Sequence, residues 1–143
     1  MSYKLTRAMR KDADLIKAIH KQDKEHIGSF NLFQVWDKYL TENTTYKFLV
    51  CEDKGFVRYG WSKKYSSWVI YEIGVLDEFK KQGVAKFIVE NLPKPMTLKC
   101  NLDNEAGNKF YEKIGMTKVG KAQTKKGIPQ NIWQCSIIKS KRH

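Results

Sequence analysis

Apolar positions along this chain switch between a period of two and a period near three and a half, and the switches mark its elements. Tyr3 to Ala8 reads as a short first strand. Asp12 or Asp14 then caps a helix whose apolar face is Leu15, Ile16, Ala18 and Ile19, running through about His20. A loop over 27–31 leads to a second helix with Leu32, Phe33, Val35, Trp36, Tyr39 and Leu40 on its packed face. Tyr46 to Cys51 and Phe56 to Trp61 are strands joined by the turn Asp53-Lys-Gly55, a hairpin. Lys63 to Ser67 turns the chain again into the apolar run Trp68 to Val75, which completes an antiparallel meander.

After Val75 the pattern changes abruptly. A charged turn, Leu76-Asp-Glu-Phe-Lys-Lys-Gln82, ends at Gly83, and a helix follows with Val84, Ile88 and Leu92 in one stripe and Ala85 and Val89 beside it. Pro93 stops that helix, and Met96 to Cys100 forms the next strand. Strand, crossover helix and strand imply a parallel pair joined right-handedly. Asn101 to Glu105 has the turn chemistry that caps a helix, in which Ala106, Phe110 and Ile114 form the expected buried stripe and Gly115 the stop. Met116 to Gly120 and Asn131 to Ile137 are the last strands, with Lys121 to Gly127 as a basic hairpin tip. No linker or repeat interrupts the order. The expectation is one α+β (mixed α/β) domain over residues 1–143, a mostly antiparallel sheet with one parallel pair and about four helices.

Composition agrees with a globular fold: 41% of the residues are hydrophobic, with 7 Phe, 7 Tyr and 4 Trp. No run is long enough to span a membrane, and the first residues lack an apolar signal core. Cys51, Cys100 and Cys135 fit neither a disulfide framework nor a zinc spacing, so reduced thiols in the cytoplasm and no metal site are expected. Lys+Arg 27 against Asp+Glu 15 leaves +12 on 143 residues, which favours a polyanionic partner, a nucleic acid or a phosphate-rich ligand. His20 and His26 have no carboxylate at a useful spacing and read as surface or packing residues.

The chemistry gathers at two places. The first amides of the helix after Gly83 lack internal partners and stand at the positive end of its dipole, so they can hold a phosphate. Lys80, Lys81 and Lys86 surround that point, and the residues read as a pyrophosphate cradle. On the next helix Asn104 and Tyr111 lie seven residues apart, about two turns, and project from nearly the same side.

The order V-x-x-x-x-K-x-x-G-V-A from Val75, then N-x-x-G-x-x-x-Y-x-x-x-G-M from Asn104, resembles the GNAT superfamily of N-acetyltransferases. Lys80, Gly107 and Met116 depart from the residues usual there, Arg or Gln, Ala and Phe. The resemblance implies acetyl-CoA as donor and direct transfer to an amine. It implies that main-chain groups of Ile73, Gly74 and Val75 meet the pantetheine arm and the acetyl carbonyl. It further implies that Lys80, Lys81, Gln82, Gly83, Val84, Ala85 and Lys86 cradle the pyrophosphate, and that Asn104, with Asn108, binds the cofactor arm. Tyr111 would protonate the leaving thiolate. For the base, Glu72 on the central strand is one candidate, and an outward-facing, salt-bridged Glu72 is the alternative.

A narrower resemblance, in Pro95 to Cys100, Asn104 to Tyr111 and Lys125 to Trp133, is to short phage and bacterial GNAT proteins grouped with Mom-type DNA-modification proteins. With the charge, it makes a nucleobase amine in DNA the expected acceptor. A small-molecule or protein amine is the alternative, and a non-catalytic nucleic-acid binder the second. Oligomeric state, monomer or homodimer, is left open.

Overall fold

In the computed structural model, which describes residues 2–23 and 45–136, these patterns become seven strands and three α-helices. The strands are β1 (Leu5–Arg7), β2 (Tyr46–Cys51), β3 (Gly55–Ser62), β4 (Ser67–Val75), β5 (Met96–Asn101), β6 (Thr117–Gln123) and β7 (Pro129–Cys135). The helices are α1 (Ala13–Gln22), α2 (Val84–Glu90) and α3 (Glu105–Lys113). One sheet takes the order β1-β2-β3-β4-β5-β7-β6. The meander and the single parallel pair of the sequence reading are both present. The helix expected over 32–40 lies outside the described residues, as does His26. No described helix is long and apolar enough to cross a membrane.

The chain divides into two compact units, Met1–Gly60 with Tyr71–Asn91, and Trp61–Ile70 with Leu92–His143. In the first unit, α1 lays Ile16 and Ile19 against Ala8, Phe48, Val50 and Phe56, all fully or nearly buried. Each such side chain contributes roughly 1.5–3 kcal/mol of burial. The β2–β3 hairpin keeps a straight register from Tyr46↔Gly60 to Cys51↔Gly55, so Phe48, Val50 and Phe56 reach this cluster. Asp12 does precede α1, but its carboxylate accepts the Met9 N–H at 2.8 Å and makes no side-chain cap of α1. The α2 stripe is buried as its spacing predicts, through Val84, Ile88 and Val89.

In the second unit, β4 and β5 pair in parallel over three residues only, Trp68↔Met96 to Ile70↔Leu98. Strand β7 lies antiparallel between β5 and β6, with Leu98↔Trp133 and Cys100↔Asn131 in register. The β6–β7 hairpin differs from expectation at its tip. Lys121 to Gln123 continue β6, and the turn is the shorter Thr124–Ile128, closed by Thr124 N–H donating to Ile128 O at 3.0 Å. The hydroxyl of Thr124 also accepts the Ile128 N–H at 3.1 Å. The stripe expected on α3 is not buried either. Ala106 is exposed and Phe110 and Ile114 are half-buried. The helix is held instead by its polar side chains.

Candidate active site

The α2 start is built by its turn. Leu76 N–H donates to Lys54 O, and Phe79 and Lys80 close a short 3₁₀ turn onto Leu76 and Asp77. Lys81 and Gly83 then take positive φ, 65° and 83°, and Gly83 O accepts the first helical bond, from Phe87 N–H at 2.9 Å. No side chain caps this end. A Cβ placed on Gly83 would meet nothing within 4 Å, so the glycine is required by its backbone angle, and the space before it is open. The amides of Val84, Ala85 and Lys86 therefore face an uncapped, open helix start with Lys81 and Lys86 exposed beside it. These residues fit an anion.

Lys80 does not join them. Its ammonium is paired with Asp77 at 2.8 Å and Asp23 at 3.3 Å, which ties the turn to the end of α1. The Gln82 side chain donates to Glu78 O, and the Gln82 main-chain carbonyl accepts the Tyr3 hydroxyl at 2.7 Å. The Val75 carbonyl accepts the Gln22 amide at 2.7 Å, and Gln22 Oε1 accepts the Asp77 N–H at 2.8 Å. One side chain of α1 thus fixes both the end of β4 and the beginning of the turn. Ile73 and Gly74 lie between this anchor and Glu72.

Glu72 is buried, not outward-facing, with 5% of its side chain exposed. Arg58 Nε and Nη2 both donate to its Oε1 at 2.9 Å. Its other oxygen, Oε2, faces His20 Nε2 at 3.7 Å. Burial pushes the carboxyl up to about 7, against the opposing pull of Arg58. Burial, then the charge of Arg58, holds His20 below its ordinary value. The carboxylate that sequence spacing does not offer His20 is therefore supplied from β4, fifty-two residues on. Arg58 and His20 are the residues that reading missed. The signal for Arg58 was there: a single charge between Val57 and Tyr59 on an otherwise apolar strand.

In the second unit, Asn104 caps α3, its Oδ1 accepting the Gly107 N–H at 3.0 Å. A Cβ on Gly107 would stand 2.6 Å from Asn104 Nδ2, so the glycine makes room for the capping amide. Asn108 is fully committed inside the fold. Its Nδ2 donates to Asn101 O and Asn104 O, both at 2.9 Å, and its Oδ1 accepts from Asn131 Nδ2 at 3.0 Å and Trp133 Nε1 at 2.9 Å. That is the whole capacity of a side-chain amide, which leaves Asn108 a structural hub and not a ligand-facing residue. Tyr111 packs edge-on to Phe110 at 5.3 Å and lies 6.5 Å from the Trp133 ring. Burial raises its hydroxyl well above the usual phenol range, so it stays protonated at any working pH.

The thiols are poor nucleophiles here. Burial pushes Cys51 and Cys100 up to about 11, and a protonated thiol does not attack. No group of His, Cys, Asp and Glu among the described residues could hold a metal ion. What remains is a buried carboxyl of raised proton affinity and an open, uncapped helix start.

A family model described as an acetyltransferase (GNAT) domain matches residues 14–134. A curated relative, the 5-NmdU N-acetyltransferase of Pseudomonas phage PaMx11, is 32% identical over 65 residues, 42% of this chain and 46% of that protein. The match therefore spans less than half the length of that relative. Among solved structures, the aminoglycoside N(6')acetyltransferase of Legionella pneumophila superposes with a TM-score of 0.74 at 11% identity, over 95% of this chain and 94% of that one. Arabidopsis thaliana NAA60 in complex with a bisubstrate analogue gives 0.72 at 13%, over 97% and 100%. A mutant of the spermidine N-acetyltransferase of Vibrio cholerae gives 0.69 at 16%, over 94% and 93%. At these identities the structural likeness speaks to the fold.

Proposed function

Since the chain belongs to the acetyltransferase (GNAT) domain family, N-acetyltransferases that act on amines, we propose that it moves an acetyl group from acetyl-CoA to an amine carried on a nucleobase in DNA. The observation that carries the donor half is the uncapped start of α2 at Gly83, open to an anion and flanked by Lys81 and Lys86. The amides of Val84, Ala85 and Lys86 would hold the pyrophosphate, and the free Nδ2 edge of Asn104 would serve the cofactor arm. Bound there, the thioester supplies an activated acetyl group. Glu72 takes a proton from the acceptor nitrogen. The family resemblance would give Tyr111 the role of hydrogen-bond donor to the leaving sulfur, and its raised proton affinity would make it a donor whose proton moves late.

Replacing Gly83 by Ala tests the donor site. The φ of 83° costs a non-glycine residue about 1 kcal/mol or more, and relaxation of the turn disperses the amides. Acetyl-CoA affinity by calorimetry is expected to fall about tenfold. An unchanged Kd would remove this helix start as the anion site.

The acceptor half rests on charge and on the phage relative's name. In the second unit, residues 61–70, 92–102 and 113–136 hold nine lysines and no Asp or Glu, the acidic residues Asp103, Glu105 and Glu112 being gathered in 103–112. The hydrogen-bonded β6–β7 tip presents Lys125 and Lys126, both exposed, beside Ile128 at 41% exposure. Such a surface suits a phosphate backbone. Duplex binding should therefore weaken steeply with salt, and changing both tip lysines to Gln should lower the log–log slope by up to about two. Incubation with acetyl-CoA and a duplex bearing base amines, followed by nucleoside mass spectrometry, should show the gain of one acetyl group. Acetylation of free polyamines with the duplex untouched would select the small-molecule reading instead.

A further inference from the structure

Glu72 has two oxygens in unequal surroundings, and the inequality has chemical content. Oε1 receives both Nε and Nη2 of Arg58, each at 2.9 Å. An oxygen holding two charge-assisted bonds is fixed in place and is the poorer proton acceptor of the pair. Oε2 points to His20 Nε2, 3.7 Å away, longer than a hydrogen bond and closed by a side-chain rotation of about 0.7 Å. The three residues also form a gradient of exposure. The Glu72 side chain is 5% exposed and that of His20 21%, so the imidazole stands between the buried carboxyl and water.

Resting on the reading of Glu72 as base, we propose that Glu72 works through one oxygen only: Arg58, a positioning residue, immobilises Oε1, while Oε2 accepts the proton of the acceptor and returns it to solvent through His20. The balance requires such an exit. An ammonium acceptor and a thioester yield an amide, a thiol and one proton: one nitrogen proton goes to the sulfur as the C–S bond breaks and the N–C bond forms, and the other must leave. Glu72 collects that second proton at Oε2. Between turnovers it must lose it again, and with 5% of its side chain exposed it has little direct contact with water, less than His20 at 21%.

The proton affinities suit the hand-over. Glu72 is raised to about 7 and His20 is held below its ordinary value, so the imidazole carries the proton only in passing and gives it up to solvent. Among the described residues, the charged groups facing the pair are Arg58 from β3 and, near His20, Asp23 from the end of α1, whose charge works in the opposite direction to that of Arg58. The ring of His20 rests tilted against Phe56, 5.6 Å between centroids.

Two variants and one additive test this. H20A in weakly buffering medium should turn over about tenfold more slowly than wild type, and added imidazole should restore most of the loss. H20Q, which keeps contact with Phe56, should show the same deficit. A wild-type rate in H20A, or a deficit that imidazole does not repair, overturns the relay. R58K keeps the charge but not the two-pronged grip, so the acid limb of kcat/KM should move up by about one pH unit. An unmoved limb in folded R58K overturns the positioning role, and a carbon-13 titration of the Glu72 carboxyl gives the same answer where activity is too low to read. The earlier reading fails differently: E72Q with wild-type turnover and pH profile would remove Glu72 as base, whatever His20 does.

Discussion

Changing Glu72 to Gln is expected to lower kcat by about 10²- to 10³-fold while leaving acetyl-CoA affinity near its wild-type value. The substitution is nearly isosteric, and its Oε1 still accepts from Arg58, so the β3–β4 contact survives. What is lost is a proton acceptor tuned close to neutrality. The pH profile gives the sharper reading. A base of pKa about 7 must be ionised to act, so wild-type kcat/KM should rise with pH and level off above about 7. In E72Q that limb should be absent.

The same carboxyl has a stability signature of opposite sign. Its folded-state value lies above the ordinary 4.5, so between about 4.5 and 7 the unfolded chain releases its proton before the folded chain does. Stability should therefore fall as pH rises through that window, by at most roughly 3.5 kcal/mol at about 1.4 kcal/mol per pH unit, and stay level above it. Thermal melts of wild type and E72Q across pH 4.5–8 would show it: the slope belongs to Glu72, and a slope retained in E72Q would assign it elsewhere.

Asn108 to Ala should be the most damaging change to the fold. It strips acceptors from Trp133 Nε1 and Asn131 Nδ2 and donors from the carbonyls of Asn101 and Asn104 in a single step. Groups left unpaired in a half-buried setting cost about 1–3 kcal/mol each, with partial relaxation toward water. A net loss on the order of 3 kcal/mol, and a Tm lower by about 10 °C, is the expectation for calorimetry. N108D, which keeps the acceptor and loses the donors, should fall between. A Tm within about 2 °C of wild type in N108A would show that the hub is replaceable and would return Asn108 to the candidates for the cofactor arm.

Most of the sheet was legible because its signals are local. The β2–β3 hairpin, the apolar run of β4 and the glycine before α2 each announce themselves within a dozen residues. The α3 stripe was not. Apolar spacing at Ala106, Phe110 and Ile114 assigns an inward face to a helix that is anchored by Asn104 and Asn108, so a rule that equates inward with apolar picks the wrong side. Lys80 looked like a phosphate ligand, but its ammonium turns back to Asp77, three residues away, and to Asp23, which only the packing of α1 brings within reach. The alternatives for Glu72 could not be separated for the same reason. Whether a strand carboxylate faces water or an arginine depends on register and on the helix laid across it, and His20 enters only through that packing.

Gln22 gives this unit one further property. The last turn of a helix ordinarily frays by itself, and a strand end does likewise, each opening without the other. Here a single amide bonds the end of β4 and the first residue of the loop to the final residue of α1. Neither can open without breaking the shared link, so in native-state hydrogen exchange the amides of Asp23 and Asp77 should lose protection together, at one common opening free energy, and loading the donor site should slow both.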